Sequence, residues 1–226
     1  MMKRNVNINE ISDGKLYGLN DMVKAGCDGC RDCSACCQGM GKTVVLDPID
    51  IYRLTSNLAC TFEQLLSDKV ELNVVDGIVL PNLKMDGSSE KCRFLNEEGR
   101  CSIHSFRPGI CRLFPLGRIY EDGSFKYFLQ VNECSKKNKT KVKVKNWIDT
   151  PDIKEYEKFV TDWHYMLKSL ESVLEASDEA VARQISMYVL SEFYMEPYND
   201  SLPIYAQLDE KIKKALHTFC FVGQKS

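Results

Sequence analysis

Five of the chain's eleven cysteines fall within eleven residues: Cys27, Cys30, Cys33, Cys36 and Cys37, written C-D-G-C-R-D-C-S-A-C-C. Three successive steps of three residues, ended by a vicinal pair, aim several thiols at one small volume. A short turn between two cysteines lets neighbouring thiolates reach one metal ion or iron–sulfur cluster. Cys36 and Cys37 cannot easily point the same way, so one can close a first centre while the other reaches a second. The run therefore predicts a metal-binding chain.

Dense cysteines read as ligands where thiols stay reduced and as disulfides where they do not. The opening M-M-K-R-N-V-N-I-N-E is polar and charged, without the apolar stretch of a signal peptide. No apolar run approaches the ~18 residues of a membrane span. A cytoplasmic location and no membrane partner are expected. The odd cysteine count also leaves one thiol outside any full pairing. A net charge of −2 argues against a dedicated nucleic-acid binder.

The cysteines are segregated, since only Cys220 lies beyond Cys134. Two parts are expected, a cysteine-cluster metal-binding domain over 1–146 and a C-terminal helical segment over 147–226 packed on it. In the first part a weak helix is expected around Leu19 to Ala25, and a short strand at Thr43 to Leu46. Asp47-Pro48 and Thr61-Phe62-Glu63-Gln64 are helix starts, by cap and capping box. Hairpins are expected around Asp76-Gly77 and Asp122-Gly123. Ser135 to Asn146 holds six lysines and no acid; Lys139, Lys141, Lys143 and Lys145 alternate with Thr140, Val142 and Val144. That pattern is read as an edge strand with lysine outward, in preference to a local anion or nucleic-acid contact. After Pro151 the period turns helical, through Ile153, Tyr156, Val160, Trp163, Leu167 and Leu170. Two further helices follow, capped at Ser177-Asp178 and opened at Pro203. The expected fold class is α+β: a small, loop-rich, metal-organised cysteine domain with short hairpins and helices, then the helical segment.

Of the six cysteines after the first block, four carry the rest of the pattern: Cys92, Cys101, Cys111 and Cys134. Glu97-Glu98-Gly99 is a turn that folds Cys101 back towards Cys92, and Pro108 stiffens the approach to Cys111. The first block reads C-x-x-C-x-x-C-C from Cys30 to Cys37. The second reads C-x-F-L from Cys92, then C-x-I-H-x-x-R-P-x-x-C-R-x-F-P from Cys101 to Pro115. Together they resemble the YkgJ-type CxxCxxCC cysteine-cluster family, usually described as a zinc- or iron-chelating domain. The resemblance covers roughly residues 25 to 135. Cys27 is a thiol in excess of the pattern, and His104 stands where the family often has tyrosine.

The resemblance implies metal binding through Cys30, Cys33, Cys36, Cys37, Cys92, Cys101, Cys111 and Cys134, with Cys27 as a ninth candidate. Eight thiolates suit two four-ligand centres. Four cysteines at three-residue steps are closer to ferredoxin-style ligation than to paired zinc knuckles, so two [4Fe–4S] clusters are favoured, with zinc as the alternative. Arg107 and Arg112, flanking Cys111, are candidates to offset the negative charge of bound thiolates. His104 is a candidate ligand or donor to a cluster sulfur, or a packed surface residue. Cys60 and Cys220 lie in apolar surroundings and read as buried free thiols.

Three functions suit this reading. One is a redox or electron-transfer protein with a protein partner. Another is a protein-modifying enzyme, because flagellin lysine N-methylases resemble this family in their cysteine motif. The third is a structural zinc module. No G-x-G-x-x-G fingerprint supports a nucleotide-type cofactor site.

Overall fold

The computed structural model describes residues 7–27, 30 and 33–221. The polar opening to residue 6 lies outside them. The first strands are β1 (Ser12–Tyr17) and β2 (Met22–Gly26), after a single helical turn α1 (Ile8–Ile11). The helix expected over Leu19 to Ala25 is thus a strand. Its ladder with β7 (Thr140–Lys143) sends Val23 and Ala25, 1% and 0% exposed, inward and leaves Met22 and Lys24 outside. The local pattern is compatible with either state, and pairing decides it.

Helix α2 (Pro48–Leu58) opens as its caps dictate. Asp47 accepts from Asp50 N at 2.9 Å, and the Asp50 carboxyl accepts from Asp47 N at 3.2 Å. Thr61 and Gln64 repeat the device at α3 (Phe62–Asp68). The next chain is a six-pair hairpin, β3 (Val70–Val75) with β4 (Ile78–Leu83), turning at Asp76 and Gly77, both at positive φ. The strand expected at Thr43 to Leu46 is only an extended segment along β4, bonded Leu46 N to Pro81 O (2.8 Å) and Leu83 N to Val44 O (3.0 Å).

The five-residue helix α4 (Gly109–Leu113) leads into the second hairpin, β5 (Leu116–Glu121) with β6 (Ser124–Gln130). β1 completes that sheet in the order β1-β6-β5. The lysine strand is shorter than its alternation suggests. Val144 starts α5 (Val144–Ile148) because Val144 and Ile148, both 0% exposed, plug a small core with Val23, Ala25, Leu113, Leu116 and Tyr127.

The C-terminal helices are α6 (Ile153–Glu175), α7 (Glu179–Leu190) and α8 (Ile204–Leu216); α7 runs on into a wide π-type turn, Ser191–Met195. Leu46, Ile49, Leu54, Leu80, Cys92 and Ile103 share one buried cluster with Tyr156, Trp163, Leu170, Val189, Phe193 and Leu208. Each such side chain contributes roughly 1.5–3 kcal/mol on burial. Two long-range bonds fasten the layers: Tyr194 Oη donates to Leu46 O at 3.0 Å, and Val79 N donates to Ser186 Oγ at 3.1 Å. The architecture is α+β, with a helical C-terminal segment on the same core as the α2–β4 layer. Among the described residues no helix is long and apolar enough to cross a membrane.

Candidate metal centre

The ladder of β2 sets where the cysteine run begins. A Cβ on Gly26 would meet Thr140 Oγ1 at 2.4 Å, so only glycine lets the strand pass so close. Cys27 follows, and its Sγ lies 3.5 Å from Cys30 Sγ. Cys30 holds a positive φ of 59°, and its carbonyl accepts from Arg100 Nη1 at 2.9 Å. Cys36 and Cys37 sit on a 3-10 turn, Ala35–Cys37, closed by Cys37 N to Ser34 O at 2.9 Å.

The second block docks on the first through the main chain. Cys92 N donates to Cys37 O at 2.8 Å. A turn at Asn96 to Gly99, with Gly99 at φ 67°, returns Cys101 to a bridge with Leu95. Cys111 rides on α4, whose first residue is pinned by Gly109 N donating to the buried Asp50 carboxyl at 2.7 Å. A Cβ on Gly109 would lie 1.8 Å from Tyr156 Oη, so α4 is seated against both α2 and α6.

The thiols feel one another electrostatically. Burial, with the Cys27 contact second, pushes Cys30 up to about 12. The adjacent Cys37 thiol draws Cys36 down to about 7, while Cys36 and then burial send Cys37 far up, with Cys101 and Cys111 adding repulsion there. Burial raises Cys92 and Cys101, and raises Cys111 well above the ordinary thiol range, with the Asp50 charge adding. Arg107 opposes the upward shifts at Cys30 and Cys101 and adds to the downward one at Cys36. Such a set cannot ionise together without a cation to balance it.

Arg107 directs Nη1 at the imidazole of His104, 2.7 and 2.9 Å from its ring nitrogens, and at the His104 carbonyl at 3.0 Å. Burial and then Arg107 hold His104 below its ordinary value. Arg112, 5% exposed, donates to the carbonyls of Arg107 (3.1 Å), Ser105 and Asp149. It knots the loop that carries Cys111 to the chain beyond α5.

Cys27, Cys30, Cys36, Cys37, Cys92, Cys101 and Cys111 therefore interact as a set drawn from three stretches of chain. Cys33 is joined through its main chain, Cys33 N to Cys30 O at 3.2 Å. Cys134 is half-buried, and its carbonyl takes Lys139 Nζ at 2.9 Å. Among the described residues no thiol contact joins Cys33 or Cys134 to the others. Cys60 and Cys220 are half-buried, less than expected, and pack on the main apolar cluster. Among the described residues no three Cys, His, Asp or Glu side chains close around a single ion. The donor chemistry nevertheless fits a thiolate-bound metal, because clustered, mutually repelling thiols are what such a metal neutralises.

Sequence reasoning missed Asp50, Arg100 and the Gly109–Tyr156 contact, each acting on a cysteine-bearing segment from far along the chain. No curated protein and no solved structure matches the chain. One family pattern does, over residues 29–148, described as "CxxCxxCC: Putative zinc- or iron-chelating domain". It takes in Cys30 through Cys134 and Asp50, Arg107, Gly109 and Arg112, and stops short of Cys27. With more than half of the sequence inside that match, the chain belongs to the CxxCxxCC family.

Proposed function

We propose that this protein holds two thiolate-bound metal centres, iron–sulfur rather than zinc, and exchanges electrons with a protein partner. The observation that carries the reading is the docking of the second cysteine block on the first in a CxxCxxCC chain, Cys92 N on Cys37 O at 2.8 Å. Cys36, Cys37, Cys92, Cys101 and Cys111 form the inner part of the ligand pool. Cys30, Cys33 and Cys134 complete the eight that two four-ligand centres need. An iron–sulfur cluster would supply one-electron chemistry at a potential tuned by nearby charge and hydrogen bonds.

The chain's own residues have definable tasks in this reading. Arg107 places positive charge beside Cys30, Cys36 and Cys101. Arg112 and Asp50 fix the segment bearing Cys111. The apolar core under Cys92 and Ile103 keeps water from one side of the site. The test is iron, zinc and acid-labile sulfide analysis of protein isolated without oxygen. Iron and sulfide in comparable amounts are expected. Stoichiometric zinc without sulfide overturns the electron-transfer reading and keeps the ligands, whereas absence of all transition metal overturns both.

A further inference from the structure

Cys27 is the one thiol of the cluster that falls outside the family match, which begins at residue 29. It also touches another thiol directly, with 3.5 Å between its Sγ and that of Cys30. Its main chain is fixed, because Gly26 is held against Thr140 by the end of the β2–β7 ladder. Cys30 is fixed from the other side by Arg100 on its carbonyl. Two thiols held in register from independent supports need only side-chain rotation, about 1.5 Å of sulfur travel, to reach bonding distance. The neighbouring Cys36–Cys37 pair is less suited, since a bond between adjacent residues closes a small ring through their shared peptide.

We propose that Cys27 and Cys30 form a peroxide-oxidised disulfide site that withdraws Cys30 from the metal centre. The consequence for the metal rests on the metal-binding reading above; the disulfide itself does not. Cys27 is the attacking sulfur, being the one not required by the eight-ligand pool. Its thiolate attacks one peroxide oxygen, forming S–O and breaking O–O, and the departing hydroxide takes a proton and leaves as water. The Cys30 thiol then attacks the Cys27 sulfur, S–S forms and S–O breaks, and the departing hydroxide takes the Cys30 proton and leaves as a second water. Two electrons pass from the two thiols to the peroxide, and a dithiol reductant reverses the change.

The sequence makes this directly readable. Trypsin cuts after Lys24 and Arg31, and the peptide Ala25–Arg31 contains Cys27 and Cys30 and no other cysteine. Full-length metal-free protein is treated with one equivalent of hydrogen peroxide, alkylated, digested and analysed by mass spectrometry. The expected peptide is lighter by two hydrogens, unalkylated, and restored by dithiothreitol. In Cys30→Ser protein, dimedone is expected to trap a sulfenic acid on Cys27. A doubly alkylated Ala25–Arg31 peptide alongside oxidation elsewhere overturns the proposal, as does a Cys30→Ser protein carrying no dimedone on Cys27. On metal-loaded protein, metal release in proportion to the disulfide is expected, and disulfide formation with full metal retention overturns the withdrawal. Protein that never holds metal would sink the functional reading, while the peptide map still decides the disulfide.

Discussion

Asp47 shows how one residue can carry two opposing roles. Its side chain caps α2, yet desolvation first and the Asp50 charge second push its carboxyl from 3.8 to about 8, against the pull of Arg53 and Arg118. The fold thus holds this proton more tightly than the unfolded chain does. Between about pH 4 and pH 8 the native form carries the extra proton, so stability falls as pH rises through that window. Asn caps as well as Asp, so Asp47→Asn is expected to keep the helix start and flatten the slope. Urea midpoints at pH 5 and pH 8 check it; an unchanged slope in the variant means other groups set the pH dependence. At this scale the cysteines were legible because ligand spacing is local. Asp50 and Arg100 were not, because the groups they hold lie 59 and 70 residues away.

Among the elements, α4 has too few residues to be stable alone. Its position comes from the Asp50 bond to Gly109 and from Tyr156, whose hydroxyl occupies the space a Cβ would need. Gly109→Ala is therefore expected to cost about 1–3 kcal/mol by overpacking, read as a lower urea midpoint together with weaker metal retention through Cys111. In a Tyr156→Phe background part of that loss should return, since the closest atom is gone and the ring carbon at 3.0 Å is next. Strict additivity of the two substitutions would show that Tyr156 does not set the position of α4. Elements whose signals are local, the Asp47 cap, the Thr61 capping box and two hairpins, were readable in advance, while the reciprocal bond from Asp50 at the first cap was not. β2 was misread because its partner, β7, arrives more than 100 residues later.

For the whole molecule, the sequence indicated an α+β fold with a helical C-terminal part but not how far one core would reach. Periodicity tells which face is apolar, not what covers it, and here α6, α7 and α8 cover α2, α3 and the β3–β4 hairpin. Metal removal should accordingly be felt unevenly. Stripping metal with a chelator is expected to raise hydrogen exchange at Cys33 to Met40 and Met85 to Cys111, while β4 and α6 keep their protection. Uniform loosening would mean that the apolar core also depends on the metal. The bond from Tyr194 to the Leu46 carbonyl, 148 residues apart, also has a meaning in time. A chain made from its N-terminus presents all nine candidate ligands before the helices that seal the α2 layer have been synthesised. The order of translation thus leaves an interval in which the ligands are complete and their cover is not, when an incoming ion would find the least resistance.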